Sequence, residues 1–475
     1  MLKHILPRLL ALILICLLAP SCCQGEVKFR NASVHDPSVM RAEDGTFYIY
    51  GSHMQAAVST DLMQWKMISR NAENSCSLVD NVQEEMREAL SYAKTVTFWA
   101  PDVIQLADGR YYMYYCTCEG SSPLSALGLA VSDNPEGPFK NLGIILKSGG
   151  EDYDATQLPN AIDPNVFYDK DGKLWMVYGS YSGGIYILRM DETTGLPLEG
   201  QGYGKKLLGK NHARIEAPYI TYNPDTEYYY LFLSFGGLNA ADGYNIRVCR
   251  SRNPDGPYVD ALGQDMIECG GKDGTYFNDP DYEPYGVKLM GGYVLCAADG
   301  EAKSKDIIYR SPGHNSIYRS EETGEYFIIF HTRFAGRGES YYVRVHQMYF
   351  SDAGWPLISP LRYAGETLTP VEESLRAGSY KILLHERDIN KTEHVSQLCE
   401  LNEDSSITGA YSGSWKMLDG NRIEITLGDK VYRGIMNLGF DNDYNQDFVT
   451  TITAMDETGL CLWGQRIPGS ETFDK

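Results

Sequence analysis

Five aromatic segments of this chain are variants of one strand, and their common register constrains the fold more than any other feature. Thr-Phe-Tyr-Ile-Tyr-Gly (46–51), Arg-Tyr-Tyr-Met-Tyr-Tyr (110–115), Lys-Leu-Trp-Met-Val-Tyr (173–178), Glu-Tyr-Tyr-Tyr-Leu-Phe (227–232) and Glu-Tyr-Phe-Ile-Ile-Phe (325–330) all combine aromatic and aliphatic residues suited to a pleated, buried face. The first three follow the turn pairs Asp44-Gly45, Asp108-Gly109 and Asp171-Gly172, which predict hairpins. Counting back eleven residues from Tyr48, Tyr112, Trp175, Tyr229 and Tyr326 lands on Pro37, Pro101, Pro164, Pro218 and Asn315. The aromatics are 64, 63, 54 and 97 residues apart, so each unit holds about four short strands and the fourth carries a long insertion. A second echo, Asn-Pro-Glu-Gly-Pro-Phe (134–139) and Asn-Pro-Asp-Gly-Pro-Tyr (253–258), recurs at equivalent places in units two and four. Hairpin repeats of this size predict an all-β chain with a five-bladed β-propeller over residues 30–355, its innermost strands converging on one channel.

The blade signature stops near residue 355. Alternating strands such as Tyr-Lys-Ile-Leu-Leu (380–384) and Arg-Ile-Glu-Ile-Thr-Leu (422–427) predict a small second all-β domain over 370–475, a barrel or a sandwich. Only Val82 to Lys94, with Met86, Ala89, Leu90 and Ala93 on one face, reads as a helix, placed on a rim loop.

At the N-terminus Lys3, His4 and Arg8 precede an apolar run from Leu9 to Leu18, the length of a signal peptide and too short for a membrane span. Residues 1–21 are therefore read as an export signal. Ala19-Pro20-Ser21-Cys22 resembles a bacterial lipobox, and a lipid anchor on Cys22, making an envelope lipoprotein, is preferred over free secretion. The anchor would be the only membrane association. Of eleven cysteines, Cys16 falls in the signal and Cys22 at the anchor, leaving an odd, scattered nine. Cys116 and Cys118 offer a C-x-C pair, but without a second pair at zinc spacing they are read as buried structural thiols. The net charge of −21 excludes nucleic acid as a partner, because phosphate binding needs a basic surface. Thirty-five tyrosines and six tryptophans suit strands and sugar faces alike. The sequence fixes no oligomeric state.

If the five anchors share an axis, the residues before them form a ring of Asp36, Ala100, Asp163, Ala217 and His314, with Glu216 one place further back. Taken singly, Asp36 and Asp163 read as turn residues before proline. Glu216, in Arg-Ile-Glu-Ala-Pro-Tyr-Ile, is either paired with Arg214 or a proton donor of raised pKa. Taken together, an ionised and a protonated carboxyl flanking one bond are what glycoside hydrolysis requires.

Five motifs in order and in register, His-Asp-Pro-Ser (35–38), Phe-Trp-Ala-Pro-Asp-Val (98–103), Ala-Ile-Asp-Pro-Asn-Val-Phe (161–167), Ile-Glu-Ala-Pro-Tyr-Ile (215–220) and Gly-His-Asn-Ser (313–316), resemble those of the glycoside hydrolase family 43 arabinanases. The resemblance implies a five-bladed propeller that hydrolyses α-1,5-linked arabinan with inversion, probing arabinan or arabino-oligosaccharide from pectin side chains. It implies Asp36 as general base, Glu216 as general acid and an ionised Asp163 that raises the acid's pKa. It further implies that His314 holds a hydrated Ca2+ ion, with no organic cofactor. A hydrogen-bonded core histidine is the structural alternative for His314. Trp99, Asn160, Ser180 and Tyr181 are secondary candidates for substrate contact, and Asp102 is read as structural or positioning. Endo action is preferred. An arabinofuranosidase or β-xylosidase on the same fold, or a non-catalytic surface glycan-binding propeller, are the alternatives.

Overall fold

The computed structural model describes residues 26–72, 76–120 and 123–469. The expected signal peptide at 1–21 and the expected lipid anchor at Cys22 lie outside the described residues. Among those described, five antiparallel sheets in sequential order make the propeller. Blade 1 comprises Ser38–Arg41, Phe47–Gly51, Gln55–Ser59 and Lys66–Ser69, and blade 2 Phe98–Gln105, Tyr111–Cys118, Ser125–Ser132 and Lys140–Ser148. Blade 3 comprises Asn165–Tyr168, Leu174–Tyr178, Ile185–Arg189 and Lys205–Leu208, and blade 4 Ile215–Asn223, Tyr228–Phe235, Asn245–Ser251 and Val287–Met290. Blade 5 comprises Ile308–Arg319, Tyr326–Phe334, Tyr341–Phe350 and Pro356–Ile358, so the propeller runs slightly past the expected boundary at 355.

The Asp-Gly turns behave as their chemistry predicts. Gly45, Gly109 and Gly172 sit at φ 87, 81 and 73, where a side chain is strained, and their N–H groups bond the carbonyls of Ala42, Leu106 and Asp169. The aromatic strands are buried between blades. Tyr48 and Tyr50 pack with Met113 and Tyr115 between blades 1 and 2, and Tyr112 and Tyr114 with Met176 and Tyr178 between blades 2 and 3. Val39, Ile49 and Trp65 meet Phe327, Ile329 and Val345 between blades 1 and 5, where the ring closes. The expected helix is present in two pieces, Val82–Glu85 and Arg87–Ala93, broken at Met86. Met86, Ala89 and Leu90 are buried against the blade 1–blade 2 core, and Ala93 is buried too. Cys116 and Cys118 are buried thiols not joined in a disulfide.

The second domain is a closed eight-stranded barrel, not a sandwich: its first strand, Gly378–His385, pairs with its last, Cys461–Arg466. One face of the first strand, with Tyr380 and Ile382, fills the barrel, while Leu383 joins Trp463 in the core shared with blades 4 and 5. His394–Val395, just after the first barrel strand, adds in parallel to Tyr293–Val294 and so extends the blade 5 sheet. At this junction Lys381 and Glu301 form an ion pair at 2.7 Å with both side chains fully buried. Removing one member strands a charge away from water. Lys381→Met is expected to destabilise the protein by about 3–5 kcal/mol, and Lys381→Met with Glu301→Leu to recover much of the loss. Urea denaturation of the three proteins checks this, and equal losses in the single and double variants would contradict it.

Candidate active site

The five anchor dipeptides are all excluded from the strand ladders. Asp36-Pro37 and Asp163-Pro164 immediately precede the first strands of blades 1 and 3. Ala100-Pro101, Ala217-Pro218 and His314-Asn315 fall in register breaks, between Trp99 and Asp102, Glu216 and Tyr219, and Gly313 and Ser316. Proline has no N–H to give a ladder, so a bulge or a strand start is where it fits. Asp36, Asp163, Ala217 and His314 adopt φ 57, 55, 55 and 45, a left-handed backbone that is uncommon outside glycine and re-aims the chain at the same point of blades 1, 3, 4 and 5. Gly313 must be glycine for another reason: a Cβ there would lie 2.0 Å from the Tyr244 ring.

The anchors are stitched together across blades. Asp102, buried, accepts from Ser38 Oγ of blade 1 and, at 2.6 Å, from the Val166 N–H of blade 3. Asn165 Oδ1 accepts from Ile220 N–H of blade 4 at 2.9 Å, and Ser316 Oγ of blade 5 donates to Pro37 O at 2.7 Å. Asp102 is thus a structural strut of the channel.

Asp36 is a buried carboxylate surrounded by side-chain donors. His35 Nδ1 lies 2.7 Å from Oδ2, to which Ser52 Oγ also donates, and His314 Nδ1 lies 3.0 Å from Oδ1. Burial alone would raise its pKa, but His314 and His35 outweigh it and hold the carboxyl well below the usual range. Burial likewise opposes a charged His314, yet Asp36, with Asp163 and Glu216, raises that imidazole to about 9.

Arg333 fixes the orientation of this group. Buried, it places Nη2 3.2 Å from His35 Nε2 and Nη1 3.3 Å from His331 Nε2, with Nε 2.9 Å from Glu339. A guanidinium only donates, so His35 Nε2 carries the lone pair and Nδ1 carries the proton given to Asp36. Ligand atoms of His35, Asp36 and His331 lie within 4.8 Å of one another. Bound to a metal through Nδ1, His35 would keep its proton on Nε2, where Arg333 already donates, while His331 Nδ1 accepts the Asp36 N–H at 3.2 Å. This cluster is therefore built for hydrogen bonding to Asp36.

Glu216 has the opposite character. Ser180 Oγ donates to Oε2 and Tyr244 Oη to Oε1, both at 2.8 Å. Arg214 is not its partner; that guanidinium engages both oxygens of Asp279 from the blade 4 insertion. Burial is the main reason the Glu216 pKa is raised. Asp163, which accepts the Ala217 N–H at 3.2 Å, is pushed up to about 8 by burial and then by Glu216 and Asp36, against the pull of His314. Two buried carboxyls repel one another, so the pair shares one proton near neutral pH.

Among the secondary candidates, Ser180 touches Glu216 directly, and Tyr181 sets its ring edge-on to Phe277 at 5.3 Å. Asn160 is instead a strut, its side-chain oxygen accepting from Ser125 and Ser148 hydroxyls at 2.6 and 3.1 Å. Trp99 is half buried against the core of blades 2 and 3 and donates its indole N–H to Thr97 at 3.1 Å. Sequence reasoning missed Ser52, Tyr244, His331 and Arg333. A signal existed for part of this set. Five residues forward of the same aromatics lie His53, Thr117, Ser180, Ser234 and His331. Ser180 meets Glu216, Ser234 Oγ accepts the His314 N–H at 2.8 Å, and His331 stacks on His35 at 4.1 Å.

A channel with one carboxylate held ionised and another held with a proton is arranged for acid–base cleavage of an acetal. Comparison with known proteins decides the family, because residues 29–280 match glycosyl hydrolases family 43 and residues 360–464 match the C-terminal lipocalin-like domain that accompanies it. The chain belongs to glycosyl hydrolases family 43. Extracellular endo-α-(1→5)-L-arabinanase 2 of Bacillus subtilis is 52% identical over 445 residues, covering 92% of this chain and 94% of the relative. The extracellular endo-α-(1→5)-L-arabinanase of Thermotoga petrophila is 46% identical over 460 residues, with the same coverage. A crystal structure of a family 43 glycoside hydrolase from Bacillus licheniformis, 50% identical, superposes with a TM-score of 0.88 over 93% of this chain and 99% of that one.

The shared proton makes a pH prediction for this family 43 hydrolase. The alkaline limb of kcat/KM should follow loss of the proton from the Asp163–Glu216 pair, near the value of about 8 to which Asp163 is raised. Asp163→Asn removes a like charge, so Glu216 should lose its proton at lower pH and the limb should move acidward. A limb that stays in place would contradict the coupling.

Proposed function

We propose that this protein is an exported, endo-acting α-1,5-L-arabinanase that cleaves with inversion. The observation that carries the reading is the contrast between Asp36, held ionised by its imidazole and hydroxyl donors, and the proton-holding Asp163–Glu216 pair in the same channel. The identity of the extracellular endo-arabinanases of Bacillus subtilis and Thermotoga petrophila over nearly the whole chain supports the substrate, the endo action and export.

In this mechanism Glu216 delivers its proton to the glycosidic oxygen as the bond to the anomeric carbon breaks. Asp36 takes a proton from a water that attacks the opposite face of the sugar, so the configuration inverts. Ser180 and Tyr244 hold Glu216 in place and stabilise the carboxylate it becomes. Asp163 keeps the acid protonated at rest through mutual repulsion. His35, oriented by Arg333, keeps the Asp36 carboxylate in one rotamer while leaving acceptor capacity for the water.

The residues also fit a hydrated calcium ion. His314 has Nδ1 committed to Asp36 and, among the described residues, no partner for Nε2; its neighbour Asn315 is buried with both amide atoms unpartnered. His314 would hold the ion through that nitrogen, the ion displacing the proton that Asp36 otherwise helps to keep on the imidazole, with water supplying the oxygen ligands calcium prefers. Such an ion would supply fixed positive charge beside the base. Export is assigned to the signal peptide at 1–21, with a lipid anchor at Cys22 retaining the enzyme at the cell envelope.

Incubation with linear arabinan and chromatography of the products over time tests the function. Mid-sized oligosaccharides should appear first; arabinose alone from the outset would contradict endo action. Glu216→Gln should lower kcat on arabinan by about 10²–10⁴-fold while leaving substrate binding largely intact. Undiminished turnover in that variant would remove Glu216 as the acid.

A further inference from the structure

The insertion in blade 4 ends in a pair of aromatic side chains that the mechanism does not use. Tyr276 and Phe277 are 65% and 40% exposed, whereas nearly all the other tyrosines and phenylalanines of the propeller are covered. Their rings lie 4.1 Å apart, Tyr276 sits 4.7 Å from the His212 ring, and Phe277 sits 5.3 Å from Tyr181. Tyr181 follows Ser180, the residue that donates to Glu216. Phe277 holds φ 52, and His212, Tyr181 and Ser182 are also left-handed, at 54, 47 and 35. Such backbone is costly for bulky residues and persists only where the surroundings enforce it.

The surroundings do enforce it. Asn211 Nδ2 donates to Gly271 O at 2.9 Å and to Asp273 at 3.1 Å. Asp281 accepts from Lys272 N–H at 3.0 Å and Thr275 Oγ1 at 3.2 Å. Asp279 takes the Arg214 guanidinium on both oxygens, and Tyr282 Oη accepts the Arg214 N–H at 3.0 Å. Arg214 is two residues from Glu216 on the same chain. The insertion is therefore fastened to the segment that carries the acid, and its exposed tip is an aromatic surface held in a fixed place next to it. Exposing two adjacent aromatic rings to water has no folding benefit, while a rigid amphipathic ring is a low-entropy platform for the C–H face of a sugar.

We propose that Tyr276 and Phe277, with His212 beside them, form a stacking subsite for the sugars on the leaving-group side of the cleaved bond. The side follows from the chemistry: the acid protonates the leaving oxygen, so a platform fastened to the acid's strand lies towards the departing chain, and the base in blade 1 serves the other face. This rests on reading Glu216 as the acid of an arabinanase. A platform there favours substrates that extend past the cleaved bond, which is the requirement of internal cleavage.

The test compares linear arabinan with an aryl α-1,5-arabinotrioside, whose leaving group carries no sugar. In the Tyr276→Ala/Phe277→Ala variant, kcat/KM on arabinan should fall about ten-fold more than on the aryl trioside, the equivalent of about 1.4 kcal/mol of lost stacking. Tyr276→Trp combined with Phe277→Ala should recover most of the arabinan rate lost in the double alanine variant. Equal losses on both substrates, or no loss on either, would overturn the subsite, the former pointing to a structural role. A wild-type protein inactive on both substrates would instead overturn the arabinanase reading itself, and the subsite with it.

Discussion

The placement of five dipeptides outside their ladders is the constraint on which the rest of the structure depends. A propeller brings the starts of its inner strands to one axis, but regular pleating would alternate their side chains between the faces of each blade. The bulges at Ala100-Pro101, Ala217-Pro218 and His314-Asn315, and the strand starts after Asp36-Pro37 and Asp163-Pro164, break that alternation at one level of the channel. Left-handed backbone at four of these positions makes the turn sharp. Groups from blades 1, 3, 4 and 5 consequently meet within hydrogen-bonding and Coulombic range, and the struts at Asp102, Asn165 and Ser316 hold the blades in phase.

Within that ring the protein uses burial in two opposite ways. Around Asp36 it supplies so many donors that desolvation is outweighed and the carboxylate stays charged. Around Asp163 and Glu216 donors are fewer and a second carboxyl is near, so desolvation and repulsion keep a proton on the pair. One channel thereby holds an acceptor and a donor of protons at the same pH. The assignment of each task follows from neighbours that are remote in sequence: Arg333, 298 residues from His35, selects the tautomer that serves Asp36.

Most of the scaffold was legible because it repeats. An eleven-residue offset back from the aromatic, landing on proline four times and on Asn315 the fifth, locates the anchors and so names Asp36, Asp163 and His314, with Glu216 beside one of them. The helix at 82–94 was legible from its apolar face, though not its break at Met86. The partners of the anchors were less visible. Tyr244 and Arg333 lie off the repeat, and their contacts with Glu216 and His35 are set by blade packing rather than local pattern. The contact of Asp279 with Arg214 was not legible, because nothing local indicates that a long insertion folds back onto that residue. Closure of the second domain into a barrel rests on the pairing of its first strand with its last, about eighty residues apart, a contact that alternation of side chains cannot report.

If Asp36 and Glu216 act on opposite faces of one glycosidic bond, the stereochemistry of the first product must show it. Proton NMR of the anomeric signals, recorded within the first minutes of arabino-oligosaccharide hydrolysis and before mutarotation, should show the β-configured reducing end appearing ahead of the α. Initial release of the α-anomer would mean retention through a covalent intermediate, and would contradict a water-activating base at Asp36.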